Sequence, residues 1–188
     1  MGDRELAAFC RQVRKRSQEN KRALALLHQN ALTGNVMAVL RQELDSMVRC
    51  VFIFSISDRG YRRQLFKDAV NGKPWRTKDG KRKITDKEMV ELSDRLHGWT
   101  RNVYAFGCGF IHLSNFHYYP DRDPFDTLTP QDRTDIGHYL SYYHGVTMKP
   151  STRLRDIESV LPNVFEKIAA NLECYVRDLE KDSDLADE

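Results

Sequence analysis

Apolar residues recur at intervals of three and four along almost every long segment of this chain, and no segment alternates convincingly as a strand would. That spacing turns one side of an α-helix toward a core. It confines the chain to an all-α fold, a single antiparallel bundle of about six helices. The first helix reads from Asp3 to Gln29, and its stripe Leu6, Cys10, Val13, Ser17, Asn20, Leu24, Leu27 is apolar at both ends and polar in the middle. A second follows Asn35 along Met37, Leu40, Leu44, Met47, Val51 and Phe54. Val48, Phe52 and Ile53 widen that face, so its last two turns should be deeply buried and the run VFIFSI should be helix. Residues 59–71 make a shorter helix that stops at Asn71-Gly72, with Pro74 just beyond.

A basic loop with Asp79-Gly80 as its turn leads to Thr85-Asp86-Lys87-Glu88, which fits a capping box. From there Met89, Leu92, Leu96, Trp99, Val103, Phe106, Phe110 and Leu113 predict one long helix over 85–117, through which copies of the chain could self-associate. A loop rich in aromatics and Asp (HYYPDRDPFD) follows. Thr129 as N-cap and Pro130 at the first helical position then open a helix. Ile136, Tyr139, Leu140 and Tyr143 form its inner face, and Gly145 stops it. The last helical region runs from Ser151 to about Lys181, and Pro162 should break or kink it. Residues 1–182 thus read as one helical-bundle domain, and 183–188 as an acidic, disordered tail.

Composition removes several function classes. The 9 Phe, 8 Tyr and 2 Trp exclude an intrinsically disordered chain, and 10 Gly with 6 Pro in 188 residues exclude a collagen-like one. No run of apolar residues is long enough to span a membrane, the first residues are too polar for a secretory signal, and Leu6 breaks the myristoylation pattern. No membrane partner is expected. Cys10, Cys50, Cys108 and Cys174 form no CxxC pair, which excludes a zinc ribbon or a thioredoxin-like motif. Reduced thiols and a cytoplasmic location are the expectation, with no cofactor.

The net charge of +3 hides a segregation. Residues 1–22 carry seven cations against three carboxylates, and residues 73–83 carry six against one. The segment 178–188 has six carboxylates and one lysine, so the rest of the chain stands at +8. Such a body attracts phosphate backbones, and the basic segments 11–22 and 73–83 are the candidate contacts for RNA.

The expected long helix carries a second, polar seam: Asp94, His97, Arg101, Tyr104, Cys108, His112, Asn115. Gly107 and Gly109 beside it are costly in a helix interior unless something must come close. Five of the six histidines fall within 97–144, and six of the eight tyrosines within 104–143. Arg101, Cys108, His112, Asn115, His117, Tyr142 and His144 are therefore candidate binding residues for a partner or small ligand. Cys108 and His112, at i and i+4, are close enough in a helix to raise the question of a thiolate nucleophile. Asp94-x-x-His97 and Asp135-x-x-His138 have a spacing used in bundle metal sites, although about one such pair is expected by chance with 27 acids among 188 residues, so two are unremarkable.

One further pattern is Arg133-Thr-Asp-Ile-Gly-His138, an Arg followed after four residues by His. It resembles the R-x(4–6)-H motif of the HEPN superfamily of small helical bundles. That resemblance implies a homodimer in which Arg133 and His138 of two subunits meet and cleave RNA without metal, as in ribonuclease toxins and defence proteins. Three readings stand open on the sequence. They are a non-catalytic helical module that binds through residues 97–144, a HEPN-like ribonuclease using Arg133 and His138, and a bundle metal site.

Overall fold

In the computed structural model, which describes residues 3–112, 114–118 and 121–184, the second predicted helix lies at the centre. This helix, α2 (Thr33–Phe54), packs against α1 (Asp3–Gln29), α4 (Asp86–His97), α5 (Thr100–Ile111) and α8 (Leu161–Asp184). Its inner residues Leu44, Met47, Val48, Cys50 and Ile53 are fully buried, as the widened apolar face requires. On the flanks, α3 (Arg59–Val70) lies on α1, α6 (Pro130–His144) meets α5, and α7 (Leu154–Ile157) is a single turn. The fold is all-α. Among the described residues there is no strand, only one antiparallel bridge between Arg76 and Lys83. Leu113, Tyr119, Pro120 and the tail residues 185–188 lie outside the described residues. Helix α8 reaches Asp184, two residues past the expected end of the domain.

The polar middle of the α1 stripe has a partner. Glu43 is fully buried on α2, and its carboxyl oxygens accept from Ser17 Oγ at 2.5 Å and Asn20 Nδ2 at 2.8 Å. Burying a carboxyl without donors is costly, and the two polar residues of α1 supply them. Along the other side of α1, Arg14 reaches Glu173 and Glu180 of α8, and Lys21 reaches Glu166. Rising numbers on α1 meet falling numbers on α8, so the two helices run antiparallel.

The predicted helix over 85–117 is not one helix. Thr85 and Glu88 form the expected capping box, but α4 ends at Gly98, whose φ of 69° is left-handed and whose N–H bonds Asp94 O at 2.6 Å. Asp94 then serves the next helix, its carboxylate accepting the Arg101 N–H at 3.1 Å. Trp99 and Thr100 are drawn into the core at the break. Apolar periodicity survives such a break because both halves still face α2, so spacing alone does not reveal it. The long helix through which self-association was expected is therefore absent. Helix α5 stops at Ile111, and a 3₁₀ turn over Asn115–Tyr118 folds back on it. Gly109 makes that return possible, since a Cβ there would stand 2.2 Å from the Phe116 ring. Gly107 likewise leaves room for the side chain of buried Arg41.

The last helical region also divides, and does so in front of Pro162. α7 and a 3₁₀ turn over Glu158–Val160 lead into α8, where Pro162 occupies the first turn and its missing N–H costs nothing. Asp58, Thr129 and Gly145 cap their helices. Tyr143, expected on the inner face of α6, is instead 40% exposed at its rim.

Asn20→Leu should strand one oxygen of Glu43 and lower stability by about 1–3 kcal/mol, seen as a reduced urea midpoint. Adding Glu43→Leu should recover part of that loss, because the orphaned group is then gone. An unchanged midpoint in the single variant would show that the pairing does not stabilise the α1–α2 interface.

Candidate functional site

The break at Gly98 disperses the polar seam. Arg101 is exposed at the start of α5 and held by Asp94, with 3.6 Å between guanidinium and carboxylate. Cys108 is half-buried near the other end of α5, and exposed His112 caps that helix through its backbone N–H. The two are joined by that backbone bond to Cys108 O at 3.3 Å, and no side-chain contact between them is present among the described residues. His117 is exposed and turns back onto the Ser114 backbone. The side chain of Asn115 lies outside the described part. These four positions do not converge on one point.

Neither do the metal candidates. Asp94 is engaged by Arg101, His97 by Tyr175, and Asp135 by Gln131, while His138 is exposed. In the acidic loop, Asp123 accepts backbone N–H groups from Phe125 and Leu154, and Asp126 pairs with Arg153. Among the described residues no three His, Cys, Asp or Glu side chains are placed to hold an ion.

Arg133 has a structural task. Its Nη1 donates to Phe125 O at 3.0 Å, and Nη2 lies 3.2, 2.8 and 2.9 Å from the carbonyls of Lys149, Pro150 and Thr152. The guanidinium also sits 5.5 Å from the Phe125 ring centroid. It ties α6 to two loops that would otherwise leave four carbonyls without these donors. Five residues along the helix turn His138 by about 140° from Arg133, and His138 is exposed. Within one subunit the pair does not share a groove.

What the fold does gather from 97–144 is a cluster at the C-terminal ends of α4 and α6, completed by α8. Tyr175 OH lies 2.9 Å from His97 Nε2, and Tyr139 OH 3.3 Å from His144 Nε2. Trp99 packs between His97 and Tyr139, and Tyr142, 82% exposed, stands edge-on to Tyr143. Lys167 places its ammonium 3.6 Å from the Tyr143 ring centroid and 5.5 Å from that of Trp99, as cation–π attraction favours. Burial first, and the charge of Lys167 second, lower the pKa of both His97 and His144, while burial alone lowers that of Lys167. Lys167 escaped the sequence reading because a lone lysine beside an apolar stripe looks like ordinary solvent exposure.

The second gathering is electrostatic. After α3, residues 75–84 form a tight hairpin, with Thr77 N bonded to Arg82 O at 3.0 Å and Ile84 N to Trp75 O at 2.9 Å. Tyr61 OH donates to Arg76 O at 2.6 Å, and Lys78 pairs with Asp58, so the hairpin is pinned to the start of α3. Residues 59–83 thereby present ten cations against two carboxylates on adjoining elements. An open groove of about 280 Å³ separates this unit from α1 and α2, bordered by Gln12 and Arg16, by Arg49, and by Lys73 and Trp75. The two basic segments named from the sequence meet here. Asp45 beneath lies within 3.7, 3.8 and 3.2 Å of Arg16, Arg41 and Arg49, and Arg49 also reaches Asp86 at 2.7 Å. Not all of segment 11–22 contributes, because Arg14 and Lys21 face α8. Among the described residues, Arg11, Lys15 and Arg22 are exposed without an ion-pair partner, as are Arg59, Arg63, Lys67, Lys73 and Lys83.

Comparison of the chain with known protein families, with curated proteins and with solved structures gives no match.

Two measurements check the local readings. Arg133→Ala should cost about 1–3 kcal/mol through the carbonyls it leaves, and an unchanged thermal midpoint would contradict the clamp. For the cluster, the folded state favours neutral His97 and His144, since their pKa values lie below the unfolded value near 6.5. Their contribution is complete above pH 6.5 and falls as pH drops through the lowered folded values. The thermal midpoint should decline between pH 6.5 and 5, and less steeply in the double variant His97→Gln, His144→Gln. Equal slopes would rule these two histidines out as the cause.

Proposed function

We propose that this chain is a non-catalytic, cytoplasmic RNA-binding module whose main contact is the basic face formed by α3, the 75–84 hairpin and the adjoining side of α1. The observation that carries the reading is the meeting of segments 11–22 and 73–83 at one groove, with Arg59, Arg63, Lys67, Lys73 and Lys83 exposed and without an ion-pair partner among the described residues. Lys and Arg that displace counterions from a phosphate backbone supply affinity that depends on salt and little on sequence. The four free thiols suit a reducing compartment. The aromatic and histidine cluster around Tyr142 and His144 is a second contact surface of the same module, suited to a protein partner by its exposed tyrosines.

RNA cleavage is left out of the proposal because Arg133 already donates to four carbonyls. The test is fluorescence polarisation of a labelled RNA stem-loop with the full chain, in EDTA, from 50 to 200 mM salt. About five phosphate contacts should weaken binding by roughly 500-fold over that range. Arg63→Glu with Lys67→Glu should lower affinity at least tenfold and flatten the salt dependence, with an unchanged thermal midpoint. The RNA should remain intact, and His138→Ala should bind as the parent does. Absence of binding at 50 mM salt would overturn the proposal, as would binding only to vesicles of anionic lipid. Cleavage that disappears in His138→Ala would restore the ribonuclease reading in its place.

A further inference from the structure

We infer that the RNA held by this face is base-paired, gripped through the phosphates of a double helix and not through unstacked bases. The inference rests on the RNA-binding reading above and names its substrate class. Its first support is where the rings point. Trp75 is 5% exposed, stacks on Phe52 at 6.1 Å and carries the Arg49 guanidinium at 5.2 Å from its ring centroid. Phe9 and Phe66 are buried against each other at 5.2 Å, and the Tyr61 hydroxyl is held by the Arg76 carbonyl. Phe9, Phe66 and Trp75 are thus turned inward, and half-buried Tyr61 has its hydroxyl tied to the backbone. Single-stranded nucleic acid gains much of its binding from bases stacked on exposed rings, and this face offers none.

The second support is the rigidity and spacing of the charges. Arg59, Arg63 and Lys67 recur at i and i+4 on α3, so a rise of 1.5 Å per residue sets them about 6 Å apart in a straight row. Arg4, Arg11, Lys15 and Arg22 fall within about 40° of one another on the solvent side of α1, a second row roughly 27 Å long that stands about 120° around the helix from Arg16 at the groove. The hairpin beside α3 is braced at several points. Asp79 caps its tip by accepting from Thr77 Oγ and Lys81 N, Glu88 holds Arg82 at 2.7 Å, and the bridge joins Arg76 to Lys83. Fixed rows of cations match a polyanion whose own charges are fixed. Duplex RNA is such a ligand, recognised by shape and by contacts to phosphate and 2′-hydroxyl groups. A flexible single strand would lose conformational freedom on the same surface without stacking to offset it.

The discriminating experiment compares one labelled 20-nucleotide RNA of low self-complementarity with the same strand annealed to its complement, titrated with the full chain at 100 mM salt. The duplex should bind at least tenfold tighter. Arg59→Glu combined with Arg63→Glu should abolish most of that preference. A second readout is tryptophan emission, because Trp75 and Trp99 are both buried. Saturation with duplex should leave emission within a few per cent of the free value, whereas stacking of a base on a ring would quench it. Equal or tighter binding of the single strand overturns this inference and leaves the RNA-binding reading standing. Failure to bind either form overturns the reading itself.

Discussion

Helix α2 runs through the middle of the bundle, where Arg41, Glu43 and Ser46 are buried away from water. Most of the architecture follows from satisfying them. Glu43 takes its donors from Ser17 and Asn20, which ties the register of α1 to that of α2. Arg41 lies 3.4 Å from the ring centroid of Tyr104 and needs Gly107 opposite it, which sets how closely α5 approaches. Asp45 and Arg49 stand where the helix nears the surface, and there they build the floor of the basic groove. The core and the proposed RNA contact are thus joined through one helix. Its buried polar residues draw on specific neighbours, Glu43 on two donors of α1 and Arg41 on the Tyr104 ring and Asp45, with Arg41 Nε left without a hydrogen bond among the described residues.

The residue 97–144 region shows how a local break redistributes chemistry. On an unbroken helix, Asp94, His97, Arg101, Tyr104 and Cys108 would share one stripe. Gly98 ends that stripe and makes Asp94 a joint between two helices. His97 is left at a helix end beside α8, where it finds Tyr175 and the charge of Lys167. His144 reaches an equivalent position at the end of α6. Two imidazoles and one ammonium among aromatic rings form a compact surface feature that no single helix specifies.

The basic face arises differently. Its charges are consecutive or nearly so in the chain, and the hairpin and α3 only stiffen what is already adjacent. The fold adds the neighbour, since α1 packs on α3 through Phe9 and Phe66. It also subtracts, turning Arg14 and Lys21 toward carboxylates of α8. A count of cations in segment 11–22 therefore overstates what a phosphate backbone would meet.

Read alone, the chain determined its all-α class, the span of α1, the helical state of the first four residues of VFIFSI, the capping box at Thr85, the caps at Thr129 and Gly145, and the interruption at Pro162. These are legible because they rest on periodicity and on cap chemistry within a few residues. The tertiary structure decided the break at Gly98, the clamp formed by Arg133, the recruitment of Lys167 and Tyr175, and the split of segment 11–22 between two faces. Each depends on groups distant in the chain. Arg133 read as a candidate catalytic group because its carbonyl acceptors at Phe125 and Lys149–Thr152 are backbone atoms, which side-chain identity does not reveal. Spacing tells which side of a helix is apolar. Only packing tells which charges remain without a partner, and those are the ones available to a ligand.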